Sequence, residues 1–222
     1  MSYPYPLVVF DLDGTLVDSA ADIAEALNRT LEDIGMARVP EATVLGWIGD
    51  GVRRLVEQAV HAAGREVDLA EVMPVFMVHY RECLLRSPRL FDGVAEALMQ
   101  LRARGVPLAI CTNKPEALVP PLLQHLGIGD AFALVLGGDS LPQRKPSGEP
   151  LRHIAAHFGL AVDACLMVGD SLTDYRAAEE AGMPIALVRY GYPRGLDLAT
   201  AQAVAVIDDL RELPGLAAGV RV

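Results

Sequence analysis

The chain has 222 residues, 52% of them hydrophobic and 22% charged, with a formal net charge of −10 at pH 7. That length suits one large domain or a domain with a sizeable insertion, and that composition excludes a disordered or fibrous chain. The acidic balance argues against a nucleic-acid binder or a protein held to an anionic membrane surface, since either needs a basic patch. An anionic small substrate stays open, because a metal or one local cation is enough to hold it.

The first predicted element is the strand "LVVF", residues 7–10, which runs straight into Asp11 and Asp13. Residues i and i+2 of a strand face the same way with backbones only ~6.6 Å apart. Two carboxylates converging to ~4 Å would repel by roughly 4 kcal/mol at an effective dielectric of 20. From residue 18 the pattern turns helical, with Ile23, Leu27, Leu31 and Ile34 recurring every three or four positions. Residues 40–45 read as a brief helix with Pro40 at its start. After the loop "GWIGDG", Val52, Leu55, Val56, Ala59, Val60 and Ala63 mark another helix, and Leu69, Val72, Val75, Phe76, Tyr80 and Leu84 a third. No convincing strand falls between residues 18 and 86.

From Phe91 the rhythm alternates. A helix on Val94, Ala97, Leu98 and Leu101 precedes the strand "PLAIC", and one on Leu118, Leu122 and Leu126 precedes "ALVLGG". A helix on Leu151, Ile154, Ala155 and Phe158 leads to "CLMVGD", and a further one around residues 175–182 leads to "PIALV", with "AVAV" near the end. Short apolar strands separated by helices predict an α/β fold, a mostly parallel sheet with helices on both faces. The helical stretch is then an insertion after the first strand, with "RSPRLFDG" as the return linker.

Cys83, Cys111 and Cys165 are odd in number and form no CxxC pair, which suits reduced thiols in a cytoplasmic protein. The start "MSYPYPLVVF" lacks the basic region and long apolar stretch of a signal peptide, and no uninterrupted apolar segment reaches the ~18 residues of a membrane helix.

Sites in open parallel sheets form at the carboxyl ends of the strands, and these ends are chemically rich. "LVVF" ends in Asp11, Asp13, Gly14 and Thr15; "PLAIC" ends in Thr112, Asn113 and Lys114. "ALVLGGDS" leads through a turn to Lys145, and "CLMVGD" ends in Asp170, with Ser171 and Asp174 close behind. Four acids, one or two lysines and small hydroxyl or amide donors suit a divalent cation together with a phosphate. His153 and His157 stand four apart on a predicted helix, but Ile154 occupies the place where a metalloprotease needs a glutamate, so a solvated pair is expected.

"DLDGTLVDS", "CTNK", the Lys145 of "RKP" and "GDSLTD" resemble, in this order, the four motifs of the haloacid dehalogenase-like phosphohydrolases. The resemblance implies a Rossmann-like core, residues 1–17 and 88–222, and a small helical cap, residues 18–87. It implies Asp11 as the nucleophile that becomes an aspartyl phosphate, and Asp13 as general acid and base. Thr112 and Lys145 would complete the catalytic set, with Gly14, Thr15 and Asn113 on the phosphoryl oxygens. Magnesium would be held by Asp11, Asp170 and the Asp13 carbonyl, with Asp174 orienting Lys145 or a bound water. The second acid, Asp13, separates phosphohydrolases from the family's carbon-attacking dehalogenases.

The loop from Gly46 to Gly51 with the following "VRRLV" resembles the specificity loop of phosphoglycolate phosphatases, as do "GGDSLPQRKPSGEPL" and "RYGYPRG" in pattern. Gly49, Gly51 and Arg53 are the candidate substrate contacts there, since a glycine-rich loop opening a helix presents free N–H groups to a carboxylate. Two departures stand out. Asp50 occupies a place where those phosphatases often carry Asn, and it would repel a carboxylate unless it points outward. Gly148 stands where a proline is frequent, which would loosen its loop. The implied partner is a small phosphate ester, most of all 2-phosphoglycolate, for a monomer or homodimer. Sugar or nucleoside phosphates and pyrophosphate stay open as substrates, a phosphomutase is a weaker alternative, and a binding module on a phosphatase core is the reading from another class.

Overall fold

The computed structural model describes residues 3–217; the outermost residues of the expected core, 1–2 and 218–222, lie outside the described residues. Six strands form one parallel sheet in the order β5-β4-β1-β6-β7-β8. They are β1 (Val8–Phe10), β4 (Leu108–Cys111), β5 (Leu134–Leu136), β6 (Leu166–Gly169), β7 (Ile185–Val188) and β8 (Ala205–Ile207). β1 lies in the middle, with Val9 in register with Ala109 on one side and Met167 on the other. The chain builds outward from β1 to β5, then crosses to β6 and on to β8. The reversal opens a crevice beyond the carboxyl ends of β1, β4 and β6.

The two-residue period of the strands sorts their side chains into two cores. Val8, Phe10, Leu108, Ile110, Leu166, Val168, Ala186 and Val188 belong to one apolar cluster. Their neighbours Leu7, Val9, Ala109, Cys111, Met167, Ile185 and Leu187 belong to the other. The first face is covered by α5 (Val94–Ala103) and α6 (Val119–His125), the second by α7 (Glu149–His157) and α8 (Leu172–Ala181). α6 tolerates two prolines because they occupy its first turn, where no intrahelical donor is lost. α8 begins earlier than the apolar period indicates, because Ser171 and Asp174 form a reciprocal capping box.

Between β1 and the rest of the sheet lie α1 (Ala20–Asp33), α2 (Glu41–Leu45), α3 (Val52–Ala62) and α4 (Leu69–Cys83). Their apolar stripes, Ile23, Leu27 and Leu31 of α1, Leu55, Val56 and Val60 of α3, and Val72, Phe76 and Tyr80 of α4, are all buried in the first cluster. Pro40 caps α2 rather than occupying its first turn. Where the chain leaves and rejoins the sheet, β2 (Val17–Asp18) pairs antiparallel with β3 (Arg89–Leu90), a two-stranded ribbon that the sequence pattern did not indicate. The Asp22 carboxylate ties the returning strap by accepting from the Ser87 N–H at 3.1 Å and hydroxyl at 2.6 Å.

Gly148 does not loosen its loop. A Cβ there would meet the Ala181 nitrogen at 2.5 Å, so the glycine lets the start of α7 pack against the end of α8. All three cysteines are buried and unpaired. Among the described residues no helix is long and apolar enough to cross a membrane. Because Leu27 is fully buried between helices, Leu27→Ala should destabilise the protein by about 2–5 kcal/mol in urea titrations, whereas Met99→Ala, at 64% exposure, should stay within about 0.5 kcal/mol.

Candidate active site

The ends of β1, β4 and β6, with the turn beyond β5, meet in the crevice. Asp11 follows β1 directly, its N–H still donating to the Val168 carbonyl of β6 at 2.9 Å. The Lys145 ammonium lies 2.8 Å from Asp11 Oδ1 and 2.6 Å from Asp174 Oδ1, with the lysine 2% exposed. The other Asp174 oxygen accepts from the Ser171 hydroxyl at 2.6 Å and its N–H at 3.1 Å. Asp170 accepts from the Thr15 hydroxyl and from the Tyr192 N–H, each at 2.6 Å. Gly14 makes room for it: φ is +96° there, and a Cβ would stand 2.4 Å from Asp170 Oδ2.

Oxygens of Asp11, Asp170 and Asp174 thus lie within 4.8 Å of one another, all three residues buried. One ammonium, Lys145, pairs with two of these three carboxylates, Asp11 and Asp174. Burial, then Asp174, pushes Asp11 up to about 7 against the pull of Lys145. Burial, then Asp174 and Asp11, holds Asp170 well above the usual carboxylate range. Hard oxygen donors carrying surplus negative charge fit a divalent cation such as magnesium or calcium. Each Asp170 oxygen accepts from one donor, Thr15 or Tyr192, while one Asp174 oxygen pairs with Lys145 and the other accepts from both the hydroxyl and the N–H of Ser171.

Asp13 is paired with a different lysine from this cluster's. Its Oδ1 accepts from the Ser19 hydroxyl at 2.6 Å, and both oxygens face the Lys114 ammonium, at 3.2 and 3.4 Å. Lys114 also donates to the Tyr80 hydroxyl of α4. Thr112 and Asn113 are buried at the end of β4. The Asn113 amide nitrogen donates to the Gly49 carbonyl at 2.9 Å and the Lys145 carbonyl at 2.8 Å, which fixes its orientation. Its Oδ1 is buried with no partner among the described residues.

These groups surround a small cleft between the sheet end and helices α1–α4. Asp11, Asp13, Thr112, Asn113 and Lys114 line its floor; Ile23, Ile48, Val52, Leu55 and Tyr80 its roof, with Gly49 and Gly51 at the side. Arg53 does not reach it: the side chain is 60% exposed and pairs with Glu57 at 3.2 Å. Asp50 turns away from the cleft to the Thr173 hydroxyl, at 2.8 Å, and the Arg194 guanidinium. Burial would lift its carboxyl, but Arg194 and Thr173 hold it below the usual carboxylate range. His153 and His157 are exposed on α7.

Sequence reasoning missed Lys114 and Tyr80 as site residues. Lys114 was visible at a strand end, beside two residues that were chosen. Tyr80 sits on the apolar stripe of α4, and nothing in the helical period distinguishes a core tyrosine from one whose hydroxyl enters a cleft. Ser19, Thr173 and Arg194 lie inside the quoted stretches "DLDGTLVDS", "GDSLTD" and "RYGYPRG" but were not singled out.

The model of the haloacid dehalogenase-like hydrolases matches residues 5–182, a span that includes every strand-end residue named above. The plasmid phosphoglycolate phosphatase of Cupriavidus necator is 42% identical to this chain, over 100% of it and 97% of that protein. The phosphoglycolate phosphatase of Colwellia psychrerythraea is 39% identical over 86% of this chain and 88% of that one. A crystal structure of a predicted phosphoglycolate phosphatase from Haemophilus somnus shares 36% identity and a TM-score of 0.88, covering 95% of this chain and 96% of that one. An acidic cluster around one buried lysine, at the switch point of a sheet shared along almost the whole chain with such proteins, places this chain among the haloacid dehalogenase-like hydrolases.

Proposed function

We propose that this protein is a magnesium-dependent phosphatase of the cytoplasm that hydrolyses 2-phosphoglycolate through an aspartyl phosphate on Asp11. The observation that carries the reading is the pair of acids after β1: Asp11 and Asp13 line one cleft, yet each is held by its own buried lysine. That separation gives two carboxylates two tasks. The names of the relatives similar to this chain over nearly its full length support the substrate, and three buried, unpaired cysteines fit a reducing compartment.

In the proposed reaction an Asp11 oxygen attacks phosphorus and the bond from phosphorus to the ester oxygen breaks. Asp13 gives its proton to the departing alkoxide, then takes one from the water that cleaves the acyl phosphate, releasing phosphate and restoring Asp11. The Thr112 hydroxyl and the Asn113 backbone N–H hold the phosphoryl oxygens. The Gly14 and Thr15 N–H groups expected there instead close their own turn, donating to the Val17 carbonyl at 2.9 Å and the Leu12 carbonyl at 3.3 Å. Lys145 balances the charge that builds on Asp11 and on the phosphoryl group. Asp11, Asp170 and the Asp13 carbonyl would hold the cation, which supplies positive charge between two anions that otherwise repel. Asp174 keeps Lys145 aimed.

Residues 18–87 act in this scheme as a cap over a core of residues 1–17 and 88–222. The cap is hung on the β2–β3 ribbon, which carries both crossings of the chain. Closure excludes water from the acyl phosphate until its hydrolysis. In this position the cap loop is held to the core through Asn113 and Gly49 and through Asp50, Thr173 and Arg194. A binding module on a retired phosphatase core would have no reason to keep all of Asp11, Asp13, Lys145 and Asp170 in one place.

Three outcomes are expected. In a panel of phosphate monoesters, kcat/KM for 2-phosphoglycolate should exceed that for hexose phosphates and nucleotides by at least about tenfold; parity would remove the substrate assignment. Asp11→Asn should lower kcat by roughly 10⁴-fold or more while the melting temperature without metal stays level or rises, since one buried charge is gone; near-normal turnover would exclude Asp11 as nucleophile. Magnesium at a hundredfold excess over its Kd should stabilise the wild-type fold by about 2.7 kcal/mol, a rise in Tm of roughly 5–10 °C for a chain of this size. Asp170→Asn should lose most of that rise, as read by calorimetry.

A further inference from the structure

Lys114 has no task in the reaction just described, yet its side chain is fully buried. Among the residues that line the cleft it is the only cation, because Lys145 lies behind Asp11 and does not line it. Burying an ammonium is costly unless it is paired and used. Its carboxylate partner is Asp13, at 3.2 and 3.4 Å. Full-strength contacts between ammonium and carboxylate are shorter, at about 2.7–2.9 Å, so a better-placed anion would still be attracted. The Tyr80 hydroxyl of α4 accepts a hydrogen bond from another of its N–H groups, and the ring centroid lies 4.6 Å from the ammonium. Burial alone would depress this lysine, but Asp13 and Tyr80 hold it well above the ordinary lysine range.

The geometry points to Lys114, positioned by Tyr80, as the group that reads a carboxylate on the leaving group of the substrate. This inference rests on the phosphatase reading and names the residues that give it selectivity. Asp13, as the acid, must lie beside the departing oxygen, and Lys114 lies beside Asp13. In a glycolate leaving group the carboxylate carbon is two bonds from that oxygen, so the second anion falls where the cleft keeps its one cation. The rest of the roof is Ile23, Ile48, Val52 and Leu55, which offer no partner to the hydroxyls of a sugar. At the side, Gly51 caps α3 without a side chain to satisfy its first N–H groups, which adds donors for the same carboxylate. Substrates with one charged end leave Lys114 with Asp13 alone.

The test compares 2-phosphoglycolate with ethyl phosphate, in which a methyl replaces the carboxylate, on wild type, Lys114→Met and Tyr80→Phe. Wild type should favour phosphoglycolate. Lys114→Met should cut the ratio of the two kcat/KM values roughly a hundredfold, chiefly through KM for phosphoglycolate. Tyr80→Phe should cut it by a smaller factor, roughly five- to tenfold. If Lys114→Met slows both substrates by one factor and keeps the ratio, Lys114 serves Asp13 or packing and the inference fails, while the substrate reading stands. If wild type treats the two esters alike, the carboxylated-substrate reading fails and takes this inference with it. Should Lys114→Met not fold, judged by circular dichroism and gel filtration, Tyr80→Phe decides, and an unchanged ratio overturns the role of the pair.

Discussion

The structure is organised around a deliberate excess of buried negative charge. Oxygens of Asp11, Asp170 and Asp174 converge within 4.8 Å of one another, and one ammonium, Lys145, pairs with Asp11 and Asp174 in a place water hardly reaches. Like charges ~4 Å apart repel by roughly 4 kcal/mol at an effective dielectric of 20, and by more where the medium is drier. Such a cluster persists only if each member is held by something else. Thr15 and the Tyr192 N–H hold Asp170, Ser171 holds Asp174, and the sheet holds the backbone of Asp11. What remains unbalanced is a surplus of negative charge that fits a cation.

The fold makes this arrangement affordable by placing it at one end of a parallel sheet. The strands supply rigid apolar walls on both faces, so the polar residues can be confined to the strand ends. Gly14 is required by the same logic, because a side chain there would occupy the space of Asp170. The helices between β1 and β4 then close the open side with aliphatic residues and one tyrosine. A charged floor under an apolar roof leaves little water beside the charges, and dryness is what gives each fixed charge its strength.

Much of this was legible in the sequence, and the reason is locality. Asp11, Asp13, Thr112, Asn113 and Asp170 directly follow apolar strand runs, so a periodicity two residues long already places them at one edge. The helical stretch and its stripes were legible for the same reason. Contacts made across long stretches of chain were not. Lys114 meets Tyr80 over 34 positions and Asp50 meets Arg194 over 144, and neither pair leaves a local pattern. The β2–β3 ribbon is two residues per strand, too short for alternation to register. Gly148 was misread because a missing side chain looks like freedom in a sequence, whereas packing against Ala181 makes it a constraint.

Asp50 shows how the same charge logic extends to the loop over the site. An acid in a loop that faces an anionic substrate would oppose binding. Its carboxylate instead leaves the cleft and meets Arg194, with the Thr173 hydroxyl beside it. Arg194 holds a left-handed backbone, φ 51°, unusual for a residue with a side chain. Thr173 belongs to α8, the helix whose Asp174 aims Lys145. The loop is therefore fastened to the helix that carries part of the buried charge cluster, while on its inner side Gly49 is fastened to Asn113. Acid on the outside and free N–H groups on the inside let one short loop lock onto the core and present a surface fit for an anion. The repulsion expected from Asp50 becomes the attachment that sets the loop in place.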